Sequence, residues 1–228
     1  MIARKFEGGF ANDRRTLIFA SGVSDSSTIS KELFEREEQL LEKSFKEHKE
    51  KTLVYFSTCS IFDPTLRESA YTIHKKKMEH LIGSQWPSYL ICRTTNIVGS
   101  TGNPHTLINF LYQKICSGGT VEVWKNANRN ILDIDDLYTI IYALLKANCC
   151  RNAINVFSPV WYTIPEIIYT IEKHAGITAN CRFIDKGSKY EIPDSHSIAL
   201  IYSRLGLFFS SSYLAGVIRK YYPARRMA

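Results

Sequence analysis

Short apolar runs alternate with helix-like stretches along the first part of the chain. Thr16–Ala20 and Thr52–Phe56 are rich in strand-forming residues, and small hydroxyl-bearing residues follow each run. Between them, apolar residues recur at helical spacing over Ile29–His48, and Ser26–Thr28 offers capping side chains ahead of that stretch. This order predicts the βαβ unit of a parallel sheet. The charge-dense segment Lys31–Lys51 is interpreted as the solvent-facing side of the crossover helix.

The alternation continues toward the C-terminus. After a loop at Asn96–Pro104 it loosens, and an apolar tail with basic residues covers Leu200–Tyr222. We expect an α/β fold, a doubly wound parallel sheet in a single domain over 1–228 with a C-terminal elaboration. The further predicted helices are Ser69–Ile82, Leu107–Ser117, Leu137–Lys146 and Ile164–His174, and the further strands are Tyr89–Arg93, Val121–Trp124, Asn130–Ile134 and Ile154–Phe157.

Composition narrows the class of protein without choosing a function. The 228 residues are 45% apolar and 22% charged, which excludes a disordered, collagen-like or disulfide-stapled chain. Lys and Arg exceed Asp and Glu by 29 to 22, and a net charge of +7 is compatible with an anionic ligand, nucleic acid or neither. The six cysteines form no C-x-x-C pair, so we expect reduced thiols in the cytoplasm and no metal site. The longest apolar segment, Leu137–Leu145, is too short to span a membrane.

Three Tyr-x-x-x-Lys pairs occur, at Tyr71/Lys75, Tyr142/Lys146 and Tyr169/Lys173. Four residues along a helix place both side chains of such a pair on one face. The first pair alone stands near the start of a helix, after a strand that ends in Ser57-Thr58. Ligands of doubly wound sheets bind beyond the carboxyl ends of the strands. We therefore single out Tyr71, and expect Tyr142 and Tyr169 to be core or flank residues.

Tyr71, Lys75 and Thr58 together suit proton transfer. A free phenol has a pKa near 10, and lowering that pKa to about 7 takes about 4 kcal/mol of preferential phenolate stabilisation. An ammonium within about 4–6 Å supplies part of this stabilisation, so Lys75 is expected to lower the pKa of Tyr71. Thr58 can hold a substrate oxygen while Tyr71 moves the proton. Because no side chain accepts a hydride, such a triad implies a nicotinamide cofactor.

Four segments of the sequence, which include Thr58, Tyr71 and Lys75, resemble the motifs of a known enzyme family. LVYFSTCSIFDP, AYTIHKKKMEHLI, ICRTTNIVGSTGNP and NANRNILDIDDLYTII occur in the order and at the distances typical of the extended short-chain dehydrogenase/reductases that act as NAD-dependent epimerases and dehydratases on nucleotide sugars. The likeness covers about residues 16–175. It implies a Rossmann-like core over about 1–98 and 128–157, and a substrate-binding portion over about 99–127 and 158–228.

The resemblance also implies roles for single residues. Thr58, Tyr71 and Lys75 match the family's catalytic hydroxyl, tyrosine and lysine, and the lysine also binds the ribose of NAD or NADP. Ala20, Ser21 and Gly22 match the strand end that lies along this cofactor. Asn96 and Arg129 match residues that contact the nucleotide-sugar substrate, and Arg129 suits a diphosphate because its guanidinium is a planar bidentate donor. The implied partners are this substrate and a possible second copy in a homodimer, with no nucleic acid.

Simpler structural interpretations exist for several of these residues. Arg129 could pair with Asp133 or Asp135, and Asn96 could be a loop residue that satisfies its own backbone. Asp135-Asp136 is interpreted as the N-cap of the helix that begins at Leu137. In the run Lys75-Lys76-Lys77, we expect only the first to face Tyr71 and the others to be solvated.

The family's Gly-rich cofactor loop, G-x-G-x-x-G or G-x-x-G-x-x-G, does not precede the first strand, and we therefore expect an N-terminally abbreviated form of the Rossmann-like fold. Met1–Phe10 resembles the first turns of the helix that follows such a loop. Either the chain begins inside the dinucleotide-binding unit, or it is a relative that binds the cofactor poorly and acts as a scaffold or pseudoenzyme. A third hypothesis, nucleic-acid binding by the tail residues Arg219, Lys220, Arg225 and Arg226, predicts steeply salt-dependent association.

Overall fold

A four-stranded parallel sheet forms the centre of the computed structural model, which describes residues 1–193 and 196–224. The strand order is β1-β2-β3-β7, and β2 is buried on both faces along almost its whole length. The predicted α/β fold with a parallel sheet is confirmed. The strands are β1 Thr16–Phe19, β2 Thr52–Thr58, β3 Tyr89–Thr94, β4 Asn96–Val98, β5 Val121–Trp124, β6 Asn128–Asp133, β7 Asn152–Val156, β8 Trp161–Thr163 and β9 Cys181–Ile184.

Helices cover both faces of this sheet because successive strand residues point to opposite sides. Val54 and Phe56 of β2 face an apolar cluster that includes the first and fifth helices, and Leu53 and Tyr55 face a cluster with the second and third. The helices are α1 Ile2–Phe10, α2 Lys31–His48, α3 Ala70–Gln85, α4 Leu107–Cys116, α5 Ile134–Lys146, α6 Ile164–Ala175, α7 His196–Leu205 and α8 Tyr213–Tyr221, and a 3-10 turn covers Cys59–Phe62.

Local sequence signals explain where these helices begin. The Ser30 and Ser69 side chains accept hydrogen bonds from the backbone N–H three residues on and cap α2 and α3. Thr163 and Glu166 form a capping box at α6. Asp133 caps α5 by accepting from the Asp135 N–H at 2.8 Å. The prediction that Asp135-Asp136 caps a helix from Leu137 is therefore wrong by about one turn, because Ile134 already opens that helix.

A second apolar cluster lies beside the main sheet. It unites α4, α6 and α8 with two small sheets, β4-β6-β8 and β5-β9, in which β6 and β8 are antiparallel. Asn130 of β6 fastens this part to the end of β7: its Nδ2 donates to the Ser158 carbonyl at 2.5 Å and its Oδ1 accepts from the Ser158 N–H at 2.9 Å. The single continuous sheet that the pattern suggested is thus divided, and the proposed division into core and substrate-binding portions stays a prediction.

The predicted loop after β3 and the predicted C-terminal tail both contain regular secondary structure. The predicted loop Asn96–Pro104 opens with the short strand β4, and the predicted tail Leu200–Tyr222 contains α8 and most of α7. Arg225 and Arg226 of the basic tail lie outside the described residues. The charge of Lys220 is already paired within the protein, because its ammonium lies 2.7 Å from Asp133 and 2.6 Å from Asp135.

Candidate active site

A cleft of about 370 Å³ opens at the carboxyl ends of β1, β2 and β3. The first residues of α1 and the loop after β4 form its other walls. This is the position at which doubly wound sheets bind their ligands. Among the predicted site residues, the cleft is lined by Ala20, Gly22, Thr58, Tyr71, Lys75 and Asn96.

Thr58 is fixed by the turn that follows its strand. Its Oγ1 accepts a hydrogen bond from the Ser60 N–H at 3.0 Å and so caps the 3-10 turn. The side chain is buried, and it lies near enough to the Tyr71 phenol to lower the pKa of that phenol. A substrate oxygen that reaches Thr58 would therefore also reach the phenol.

Tyr71 lies in the first turn of α3, and burial separates its pair from the other two Tyr-x-x-x-Lys pairs. The lysine nitrogen lies 5.9, 5.4 and 5.5 Å from the ring centroid in the pairs of Tyr71, Tyr142 and Tyr169. The exposed fractions of the three tyrosines are 7%, 44% and 59%. Tyr142 and Tyr169 are flank residues on helix surfaces, and Tyr71 alone combines the spacing with a cleft.

Lys75 donates its hydrogen bonds away from Tyr71. Its ammonium lies 3.0 Å from Glu37 Oε1, 3.0 Å from the Tyr55 hydroxyl and 3.4 Å from the Phe56 carbonyl. An ammonium has three N–H donors, so these three acceptors use all of them. Within the described chain, no hydrogen bond joins Lys75 to the Tyr71 oxygen.

The pKa of Tyr71 is raised, contrary to the sequence-based expectation. Burial raises it to about 12, although the nearby Thr58 side chain lowers it, and the negative charge of Glu37 adds to the increase. The expectation assumed that the Lys75 charge acts on the phenol alone. In the structure that charge is balanced by Glu37, so Tyr71 is protonated near neutral pH.

Glu37 is the residue that the sequence interpretation missed. It belongs to the segment assigned to the solvent-facing side of α2, yet its exposure is 0%. Burial alone would raise the pKa of its carboxyl, but the hydrogen bond with His74 and the charge of Lys75 outweigh burial and hold that pKa at about 2. Glu37 stands one helical turn before the buried Leu41, and an acid in an apolar stripe is the signal that could have found it.

Two of the three residues predicted to lie along the cofactor, Ala20 and Gly22, line the cleft, and Ser21 does not. Gly22 lies so close to the ion pair that a Cβ there would stand 2.8 Å from Glu37 Oε1 and 2.8 Å from Lys75 Nζ. Ala20 lines the cleft, whereas Ser21 is exposed outside it and its carbonyl accepts from Arg36 at 3.4 Å.

The two predicted substrate residues differ in their surroundings. Asn96 lines the cleft, and its Nδ2 donates to the Asn130 carbonyl at 3.0 Å, so its partner lies in the paired strand β6 and not in its own loop. Arg129 lies outside the cleft lining but close to Tyr190, which lines it. In the part of the chain that the structure describes, Arg129 has no carboxylate partner and donates to the Asn128 carbonyl at 2.7 Å. Pairing of Arg129 with Asp133 or Asp135 is therefore not observed.

Residues 1–193 and 196–224 contain neither a metal-binding cluster nor a membrane-spanning helix. No group of three or more His, Cys, Asp or Glu residues there is arranged to hold a metal ion. No helix there has the length and apolar character needed to cross a bilayer.

A parallel sheet wound by helices, with a cleft at its carboxyl edge, defines a Rossmann-like α/β protein. Residues 18–156 match the NAD dependent epimerase/dehydratase family, and the chain belongs to that family. No curated protein matches the sequence.

Solved structures are similar in fold at low sequence identity. dTDP-glucose 4,6-dehydratase from Bacillus anthracis in complex with NAD has a TM-score of 0.72 and 14% identity over 90% of this chain and 72% of that chain. UDP-glucuronic acid 4-epimerase from Bacillus cereus in complex with NAD has a TM-score of 0.69 and 18% identity over 97% and 76%. RMD from Pseudomonas aeruginosa complexed with NADPH has a TM-score of 0.70 and 14% identity over 96% and 95%.

Proposed function

We propose that this protein is a NAD(P)-dependent enzyme that acts as an epimerase, dehydratase or reductase on a nucleotide-diphosphate sugar. The observation that carries this proposal is that three buried residues, Thr58, Tyr71 and Lys75, line the same cleft. Family membership supports the same chemistry, as do the nucleotide sugars and cofactors named for similar structures. A second copy of the chain and a cytoplasmic location are further parts of the proposal, and the six free thiols agree with the latter.

The residues present fit one end of a nicotinamide dinucleotide. Thr95, which lines the cleft, has a buried hydroxyl oxygen with no hydrogen-bond partner in the described structure. A ligand hydroxyl or amide would satisfy that oxygen. We assign the nicotinamide end to Tyr71 and Lys75. The diphosphate has no Gly-rich loop in this sequence to receive it.

In the proposed reaction, a bound nicotinamide supplies the hydride donor or acceptor. Thr58 holds the reacting sugar oxygen, and Tyr71 transfers the proton at that oxygen. Because burial raises the pKa of Tyr71, the phenol is protonated near neutral pH and its first role is that of an acid. This role suits reduction of a sugar carbonyl, in which Tyr71 would give its proton to the carbonyl oxygen while a bound nicotinamide would supply the hydride to the carbon. The Arg129 guanidinium, which lacks a carboxylate partner in the described chain, is proposed to hold the substrate diphosphate.

A second candidate is a cofactor-deficient relative that acts by binding a partner. It is favoured by the engagement of all three Lys75 donors within the protein. The enzyme proposal requires that a bound cofactor release one Lys75 donor, and the second candidate does not require this.

Calorimetric titration with NADH and NAD separates the two candidates. The enzyme proposal predicts saturable binding that weakens in Lys75→Met and is unchanged in Lys173→Met, the lysine of an exposed Tyr-x-x-x-Lys pair. Absence of binding at about millimolar cofactor, the upper end of typical Michaelis constants, would favour the cofactor-deficient protein. Equal weakening in both variants would remove Lys75 from the cofactor site.

A further inference from the structure

The Glu37 carboxylate is enclosed by four polar partners from three parts of the chain: the loop after β1, β2 and α3. Val23 N–H donates to Oε2 at 2.7 Å, and His74 Nε2 lies 3.1 Å from the same oxygen. The Tyr55 hydroxyl donates to Oε1 at 2.6 Å, and Lys75 Nζ donates to it at 3.0 Å. A buried charge is costly unless it is paired and hydrogen-bonded, and Glu37 meets both conditions.

We propose that Glu37 is a positioning residue for the Tyr71–Lys75 pair, and that its carboxylate holds the Lys75 ammonium beside Tyr55 and away from the Tyr71 oxygen. The inference rests on the proposed function for the roles of Tyr71 and Lys75. The distances support it, because Lys75 Nζ lies 4.9 Å from the Tyr55 ring centroid and 5.9 Å from that of Tyr71. Glu37 thereby selects the protonated phenol as the starting state of the site.

The charges around the pair act in the same direction. Tyr71 faces Glu37 from α2, Asp25 from the loop after β1 and Cys59 from the 3-10 turn, and each raises the pKa of the phenol when it is negatively charged. Glu79 faces Lys75 and, with Glu37, favours its charged form, against the burial that lowers the pKa of Lys75. Replacing Glu37 by a neutral residue removes one negative charge from both neighbours, so the pKa values of Tyr71 and of Lys75 both fall.

Titration of Tyr71 itself tests this inference without cofactor or substrate. Tyrosines are labelled with ¹³C on the ring, the Tyr71 signal is identified by its loss in Tyr71→Phe, and its position is followed against pH by NMR. Glu37→Gln is predicted to move the Tyr71 titration down by about one pH unit or more. Glu42→Gln, an exposed acid on the same helix, is predicted to leave it unchanged. An unchanged Tyr71 titration in Glu37→Gln would overturn the inference.

Two further measurements cover loss of folding in Glu37→Gln. Glu37→Asp keeps the charge, and is predicted to restore a Tyr71 titration close to that of the wild-type protein. In the unsubstituted protein, ¹⁵N-lysine spectra are predicted to show one slowly exchanging ammonium near neutral pH, absent from Lys75→Met; a rapidly exchanging or uncharged Lys75 amine would contradict the pairing. Because these readouts need no ligand, they can succeed even where cofactor binding fails, and the two proposals are judged separately.

Discussion

The Gly22 Cα directly faces the Glu37 carboxylate: a Cβ on Gly22 would lie 2.8 Å from Oε1, closer than real Cβ contacts come. The same Cβ would lie 2.8 Å from Lys75 Nζ. The turn after β1 can therefore lie against the Glu37–Lys75 ion pair only because Gly22 has no side chain. The next residue, Val23, then donates its N–H to the other Glu37 oxygen.

Gly22→Ala is predicted to separate the ion pair and to destabilise the protein by about 1–3 kcal/mol, the usual cost of overpacking a buried site. Thermal or urea unfolding measures this change. Gly102→Ala is the matched control, because a Cβ at Gly102 meets nothing within 4 Å, and it should unfold like the wild-type protein. A Gly22→Ala protein of unchanged stability would show that the pair tolerates displacement.

Tyr71→Phe is predicted to abolish turnover of a nucleotide-sugar substrate while the fold stays intact. The phenol proton is lost but the ring, which is buried, keeps its packing. General acid-base groups typically contribute about 10²–10⁴-fold to rate, and a loss in this range is expected. Tyr169→Phe serves as the control with the same residue spacing at an exposed site. Equal turnover in the two variants would remove Tyr71 from the mechanism.

Acid is predicted to weaken the fold through Glu37. Its folded-state pKa of about 2 lies below the ordinary 4.5, so Glu37 contributes stability above pH 4.5 that is lost as the pH falls toward 2. This contribution amounts to up to about 3 kcal/mol. Urea unfolding over this pH range should show a steeper loss for the wild-type protein than for Glu37→Gln. Parallel pH profiles of the two proteins would contradict the lowered pKa.

Arg129→Met is predicted to weaken the binding of UDP-glucose or dTDP-glucose by about tenfold or more, since a charge-assisted contact to a diphosphate is worth about 1.5–3 kcal/mol. The measurement is calorimetric titration of each nucleotide sugar. Arg4→Met, which removes an exposed arginine of α1, is the control. Unchanged affinity in Arg129→Met would place the diphosphate elsewhere.

Apolar periodicity was sufficient to predict most elements of the main sheet and its helices. Strand-forming runs gave β1, β2 and β3 to within a few residues, because these strands are short, buried and bounded by turn residues. The start of α5 was misplaced, since Asp133, Asp135 and Asp136 are all chemically able to cap. Which of them adopts extended backbone is decided by the pairing of β6, a long-range contact that local sequence does not reveal.

The sequence was sufficient to predict which residues lie in the candidate site, but not the charges that surround them. Helical spacing and strand-end position were enough to predict that Thr58, Tyr71 and Lys75 lie together, and all three line one cleft. The predicted direction of the Tyr71 pKa shift was wrong because burial raises this pKa, and because Glu37, 38 residues before Lys75 in sequence, supplies the charge opposite to that of Lys75. Such pairing depends on how α2 packs against α3, and the many charges of α2 conceal the single buried acid.

The most direct test of the account is the response of the Tyr71 ¹³C signal to added NADH. If the nicotinamide binds beside Tyr71 and Lys75, this signal shifts saturably with NADH, while the signals of the exposed Tyr142 and Tyr169 stay in place. An unchanged Tyr71 signal at about millimolar NADH would contradict the proposal that this cleft holds the cofactor.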